Sequence, residues 1–86
     1  MTMRIDRIRT LLETAFAPSF LEILDESSLH AGHNAEAKAG IVTHLQIHIA
    51  SDILNALPLV QRHRQGNTVL KAEFLDGLHA VSLKFF

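Results

Sequence analysis

Apolar residues recur at helical spacing near the start of the chain and at alternate positions later. From residue 3 to residue 16 they fall three or four apart, which predicts one amphipathic helix. Its apolar stripe consists of Ile5, Ile8, Leu12, Ala15 and Phe16, while Arg4, Arg7, Arg9 and Glu13 are expected to stay in water. Pro18 ends the helix, and Phe20 to Leu24 then alternates as a short strand does.

The second half of the chain predicts two further strands and a helical pair. Thr43 to Ile49 alternates strictly between apolar and polar residues, which indicates a half-buried strand with one wet face. After Pro58 the apolar positions return at helical spacing. Gly66 and Asn67 interrupt this pattern, so we expect two helices that meet near Gly66. The last strand is predicted from Leu78 to Phe86.

The order of these elements predicts an α+β fold. Three strands and three helices are packed most simply as a three-stranded sheet covered on one face by helices. The hairpin makes the first two strands antiparallel, and a right-handed crossover makes the third strand parallel to a neighbour that the sequence does not specify. Residues 29–40 show neither period and predict a mobile loop. The 86 residues are expected to form a single domain, 1–86.

The composition excludes several kinds of functional site. There is no cysteine, so the chain itself offers no disulfide, thiolate ligand or catalytic thiol, and six histidines are its soft ligands. A net charge of −1 argues against tight nonspecific binding to nucleic acid. No apolar run could span a membrane or serve as a signal segment, so we expect a cytoplasmic protein. We also expect no enzyme and no small-molecule substrate, because neither a nucleophile with a base nor paired carboxylates are recognisable.

Four of the histidines form two pairs in the sequence, and each pair could bind a metal ion only if its two imidazoles come close together. His30 and His33 lie in the predicted loop at a spacing where both imidazoles could reach one metal ion. The alternative is a polar loop that simply contains two histidines, since structural zinc normally has four ligands. His44 and His48 share a strand face but lie about 13 Å apart at ~3.3 Å per residue, so they cannot share an ion. We interpret them as part of the wet strand face.

His79 begins the last strand in the same phase as Val81, Leu83 and Phe85. An imidazole in an apolar phase must lie at the sheet's rim or be hydrogen-bonded. The position at the start of the strand favours the rim. A metal ligand and a core histidine bonded to a backbone carbonyl both remain open.

Arg62, His63 and Arg64 form a basic triplet on a predicted helix. Such a triplet could bind an anion or a partner's carboxylate, or its arginines could pair within the domain with Glu73 or Asp76. Together with the arginines of the first helix, it could also serve a DNA-binding protein. A second basis for DNA binding would be a helix-turn-helix from residue 59 to residue 75.

Several short motifs, taken in order, resemble the BolA-like family over almost the whole chain. They are Leu21-Glu22-Ile23, Asp25-Glu26-Ser27, His30-Ala31-Gly32-His33, Thr43-His44, Ser51, Arg62-His63-Arg64 and Leu78-His79-Ala80-Val81-Ser82-Leu83. The Arg-His-Arg triplet followed, after a helix, by a His-Ala strand is the most specific part. The resemblance implies a class II KH-like fold with the element order α-β-β-α-α-β.

The resemblance also implies a function. Family members form heterodimers with a monothiol glutaredoxin around a shared [2Fe-2S] cluster and act in iron-sulfur trafficking and iron sensing. His79 would then be a cluster ligand, and a loop histidine, His30 or alternatively His33, would be the second. The partner's cysteine and its glutathione would supply two thiolates, so no cofactor is expected in the isolated chain. The triplet at residues 62–64 would serve partner docking or structural pinning.

An alternative implied by the same resemblance is a DNA-binding transcriptional regulator, since some family members are described in that way. KH domains clamp a nucleic-acid backbone with a Gly-x-x-Gly loop. The corresponding segment, Gly66-Asn67-Thr68-Val69, has only one glycine. This difference makes the glutaredoxin partner our first interpretation and DNA binding the second.

Overall fold

The computed structural model describes residues 3–27 and 42–86, which form four helices and three strands. The helices are α1 Arg4–Phe16, α2 Asp52–Asn55, α3 Leu59–Val69 and α4 Lys71–Leu75. The strands are β1 Phe20–Asp25, β2 His44–Ala50 and β3 Ala80–Phe85. The loop predicted over residues 29–40 lies outside the described residues.

The sheet is mixed, with the strand order β1-β2-β3. β1 pairs antiparallel with β2, and Leu21 lies opposite Ile49. β3 pairs parallel with β2, and Leu45 lies opposite Val81. The α+β class, the antiparallel hairpin and the parallel third strand are therefore confirmed, with β2 as the neighbour of β3. The observed order, with the extra short helix α2, is compatible with a KH-like fold.

The core lies between one face of the sheet and the helices. β2 alternates along its whole length, with Leu45, Ile47 and Ile49 buried and the polar residues between them half-buried. The other buried apolar residues, contributed by the helices and by the segment before β3, are Ile8, Leu12, Phe16, Leu54, Leu70 and Leu78. The second face of the sheet carries His44, Gln46 and His48, as the alternation predicted.

The arginines at the start of α1 do not stay in water as predicted. The Arg4 side chain is only 11% exposed, because it and Arg7 extend to Glu73 on α4. Arg7 donates two hydrogen bonds to the Glu73 carboxylate, at 3.0 and 2.9 Å. These hydrogen bonds and the charges of both arginines hold the pKa of Glu73 below its ordinary value, although burial opposes them. The contact ties α1 to α4.

The helical break is at Leu70 rather than near Gly66. α3 continues through Gly66 and ends at Val69, and Leu70, with φ −93° and ψ 4°, separates it from α4. Gly66 instead allows α3 to lie close to the sheet, since a Cβ there would be 2.7 Å from Cδ1 of Leu83. The chain makes no turn at Gly66, so the helix-turn-helix predicted around that residue is wrong; α4, which follows Leu70, has five residues and is about 7.5 Å long.

α2 was not predicted from the sequence. It begins after Ser51, whose hydroxyl accepts a hydrogen bond from the Leu54 N–H at 3.3 Å and donates to the Phe16 carbonyl at 2.7 Å. Ser51 therefore caps α2 and also satisfies a carbonyl at the end of α1. The four-residue helix is too short to show a hydrophobic period.

Candidate functional site

His79 lies at the corner of the sheet where β3 begins. Its side chain is exposed, and its backbone N–H donates to the Thr43 carbonyl at 2.8 Å. The N–H of Ala80 donates to the same carbonyl at 3.2 Å. The rim position predicted for His79 is therefore confirmed, with its backbone anchored next to the start of β2.

His44 places a second imidazole at this corner. Its ring centroid is 5.8 Å from that of His79, and the two ring planes are inclined by 69°. Nδ1 of His44 lies 2.8 Å from Oγ1 of Thr43. On the sequence alone we compare His44 only with His48, which lies on the same strand, and this comparison misses the pair of His44 and His79. The signal that could have found it is the parallel register, which sets His44 opposite Ala80, the residue after His79.

A buried hydroxyl joins the end of β1 to the start of β2 behind this pair. Oγ of Ser27 accepts from the N–H of Thr43 at 2.8 Å and from the N–H of His44 at 3.1 Å. The Ser27 N–H in turn donates to the Asp25 carboxylate at 2.9 Å. Ser27 and Thr43 are 5% and 0% exposed, so water cannot reach their polar groups. These hydrogen bonds satisfy the buried donors and acceptors within the protein. The start of β2 is thus held from two sides.

The predicted loop ligands His30 and His33 lie outside the described residues. Within residues 3–27 and 42–86, no group of three or more His, Asp or Glu side chains is placed to hold a metal ion. The assignment of His79, His30 and His33 as metal ligands remains a prediction.

His48 lies farther along the same face of the sheet. Its Nδ1 is 3.3 Å from the Glu22 carboxylate, and its ring contacts that of Phe86 at a centroid distance of 5.6 Å. The side chain is only 20% exposed, so it is more covered than the wet-face interpretation assumed. As predicted, His44 and His48 have different neighbours along the strand and do not converge.

The Arg-His-Arg triplet does not form one basic surface. Arg62 donates to the Leu57 carbonyl at 2.8 Å and to the Asn55 carbonyl at 3.4 Å, which pins the turn between α2 and α3. The His63 ring packs against Phe85 at 5.0 Å, and Arg64 is exposed. The alternative in which these arginines pair with Glu73 or Asp76 is wrong, since both carboxylates pair with other arginines.

Those two carboxylates bind the arginines of α1 instead. Asp76 lies 3.2 Å from the guanidinium of Arg4, and Glu73 lies 2.9 Å from that of Arg7. The charges of Arg4 and Arg7 are thus balanced by carboxylates of α4 and of the turn that follows it.

The structure does not bring the triplet and His79 together. His63 packs on Phe85, which is six residues after His79 along β3. Six residues of strand span about 20 Å. A partner that contacts both features would therefore have to cover the length of the sheet.

These features define an α+β protein with a mixed three-stranded sheet and an exposed imidazole at one corner of it. Residues 12–86 match the family described as BolA-like protein, and the chain therefore belongs to that family. It is 42% identical over 80 residues to SufE-like protein 1, chloroplastic/mitochondrial, of Arabidopsis thaliana, covering 90% of this chain and 22% of that protein. It is 33% identical over 78 residues to the DNA-binding transcriptional regulator BolA of Escherichia coli (strain K12), covering 91% and 70%.

A solved structure supports the same assignment. BolA1 from Arabidopsis thaliana superposes with a TM-score of 0.86 at 34% identity, over 99% of this chain and 92% of that one. Among the described residues, no helix is long and apolar enough to cross a membrane. Because SufE-like protein 1 is named as chloroplastic and mitochondrial, the cytoplasmic location remains a prediction.

Proposed function

We propose that this protein is a non-enzymatic partner of a monothiol glutaredoxin and that the two proteins share a [2Fe-2S] cluster for iron-sulfur trafficking or iron sensing. The main support is the exposed imidazole of His79, held beside His44 in a chain that belongs to the BolA-like family. Histidine is a known ligand of such clusters, where two imidazoles replace two thiolates on one iron. The donor type at this corner therefore fits the group.

The chain's own residues would present and orient the ligand. The backbone hydrogen bond from His79 to Thr43 fixes the start of β3, and with it the position from which the imidazole extends. In this proposal His30, or alternatively His33, is the second imidazole, and the partner's cysteine and glutathione supply the thiolates. Imidazole ligation would give the bound cluster a higher reduction potential than ligation by thiolates alone. Ligation requires neutral imidazoles, so acidification should weaken it.

The exposed part of the triplet is the proposed site for partner docking. Arg64 is exposed on α3, and His63 beside it packs on the end of β3. A guanidinium at this position can bind a carboxylate of a partner protein. The side chain of Arg62 is used within the fold, so we assign it to structural pinning.

Reconstitution of the complex tests the proposal. The protein is mixed with a monothiol glutaredoxin, iron, sulfide and glutathione, and the visible absorption spectrum is compared with that of the glutaredoxin alone under the same conditions. We expect a distinct spectrum, which His79→Ala removes and the control His48→Ala retains. A His79→Ala protein that gives the wild-type spectrum would show that His79 is not a ligand.

DNA binding is the second candidate function, because the related Escherichia coli protein is named as a DNA-binding transcriptional regulator. The pairing of Arg4 and Arg7 with Glu73 and Asp76 reduces the positive charge available for phosphates. The test is binding to duplex DNA at increasing salt. The affinity should fall steeply as salt rises and should fall further in Arg64→Ala, with Arg62 kept because its side chain holds the turn between α2 and α3. No binding at low salt would remove this candidate.

A further inference from the structure

We propose that Thr43 is a positioning residue for His79 and that it acts through the ring of His44. This inference rests on the proposed function, because it concerns the same cluster ligand. It assigns a role to the buried hydroxyl of Thr43. It also assigns one to His44, which we interpreted from the sequence only as part of a solvent-exposed strand face.

All three polar groups of Thr43 are used, and its side chain is 0% exposed. Its N–H donates to Oγ of Ser27, and its carbonyl accepts from the N–H groups of His79 and Ala80. Its hydroxyl lies 2.8 Å from Nδ1 of His44. One residue therefore contacts the backbone of one histidine and the ring of the other.

The contact between the hydroxyl and the ring is not part of the sheet pairing. Neighbouring side chains along an extended chain normally point to opposite faces, so a bond between the side chains of Thr43 and His44 is a separate local feature. A hydrogen bond to one ring nitrogen restrains rotation of the imidazole, and the threonine hydroxyl can make this bond with either tautomer because it both donates and accepts. The hydroxyl thus fixes the half-buried His44 ring at the start of β2.

The fixed ring in turn restrains the exposed one. The rings of His44 and His79 meet edge to face, which is a preferred geometry for aromatic pairs. Because His44 is half-buried and held by Thr43, whereas His79 is exposed, the contact limits mainly the orientations of His79. Ligand histidines depend on such supporting contacts for their orientation.

A purely structural role for the hydroxyl makes a different prediction. If the bond to His44 only satisfied a buried polar group, its loss would lower stability and leave the His79 ring unchanged. Thr43→Val separates the two roles, since valine has nearly the same shape without the hydroxyl. Thr43→Ser restores the hydroxyl. Thr68→Val is the matched control, because Thr68 is exposed and its hydroxyl donates to the Arg64 carbonyl on α3.

The first measurement uses the protein alone. Imidazole nitrogen NMR spectra are recorded for protein labelled with 15N-histidine, with thermal unfolding as a parallel record of stability. We expect Thr43→Val to shift the ring signals of both His44 and His79, and Thr43→Ser and Thr68→Val to leave those of His79 in place. His79 signals that are identical in Thr43→Val and the wild type would overturn the proposal.

The second measurement uses the reconstituted complex with a monothiol glutaredoxin and its cluster. We expect Thr43→Val to raise the dissociation constant of the cluster-bound complex by about 10-fold, the lower end of the effect of removing a direct contact of a ligand histidine, because Thr43 acts through the His44 ring. Thr43→Ser should bind as the wild type does, and binding of Thr43→Val equal to that of Thr68→Val would contradict the proposal. If His79→Ala also binds normally, the proposed function fails, and the NMR spectra of the protein alone decide the positioning role.

Discussion

The ion pair between α1 and α4 allows a quantitative prediction for Glu73→Gln. The Glu73 side chain is 8% exposed and accepts two hydrogen bonds from Arg7, at 3.0 and 2.9 Å. The guanidinium of Arg4 lies 3.7 Å from the same carboxylate. Glutamine keeps the size of the side chain but removes its charge and replaces one acceptor oxygen by an NH2 donor, so the substitution removes the ion pair and one of the two hydrogen bonds from Arg7.

The expected cost follows from the burial of the two partners. Removing one member of a fully buried pair costs about 3–5 kcal/mol, and a hydrogen bond to a charged group contributes about 1.5–3 kcal/mol. The Arg7 side chain remains 37% exposed, so water can solvate its guanidinium after the substitution. We therefore expect Glu73→Gln to lower the free energy of unfolding by about 2 kcal/mol. In a domain of this size that lowers Tm by about 8–16 °C.

The assay is thermal unfolding at several pH values, with Glu13→Gln on the exposed side of α1 as the control. The pKa of Glu73 is lowered in the folded protein from an ordinary value of 4.5, so its contribution is complete above that pH. It is lost as pH falls through the lowered pKa, because the carboxylate is then protonated. The difference between wild type and Glu73→Gln should therefore shrink in acid. A cost equal to that of Glu13→Gln, or one independent of pH, would refute this reasoning.

Two further substitutions test contacts that hold the helices. Ser51→Ala removes a buried hydroxyl that caps α2 and donates to the Phe16 carbonyl, so we expect a loss of about 1–3 kcal/mol in denaturant unfolding; an unchanged midpoint would contradict it. Arg62→Ala removes the bond to the Leu57 carbonyl and should cost about 1 kcal/mol, whereas the exposed Arg64→Ala should change stability by less than about 0.5 kcal/mol. Equal effects of the two arginine substitutions would show that Arg62 does not pin the turn.

Much of the fold was predictable because its main signals are local. The alternation from Thr43 to Ile49 and the helical stripe in α1 each follow from the burial of one face. Gly66 was misread because a glycine that allows close packing looks the same in sequence as one that ends a helix. The burial of Arg4 was missed because Glu73 is 69 residues away, and local spacing carries no information about such a contact.

The candidate site was predictable only in part. The rim position of His79 follows from its phase at the start of a strand, and the structure confirms it. The His44 ring comes next to it only because β3 pairs with β2 in a parallel register, which the sequence left open. The contact between the Thr43 hydroxyl and the His44 ring is local, and the alternation of the strand does not predict it because neighbouring side chains normally point to opposite faces. The second ligand, which is His30 or alternatively His33 of the loop, remains a prediction.

The most direct test of the account is pulsed electron paramagnetic resonance on the reduced cluster of the reconstituted complex. Only this chain would be labelled with 15N-histidine, so any 15N coupling must come from its imidazoles. The account predicts 14N couplings to the cluster that change to 15N couplings on labelling and weaken in His79→Ala. Couplings that are absent, that do not respond to the label, or that are identical in His79→Ala would contradict the claim that His79 binds the cluster.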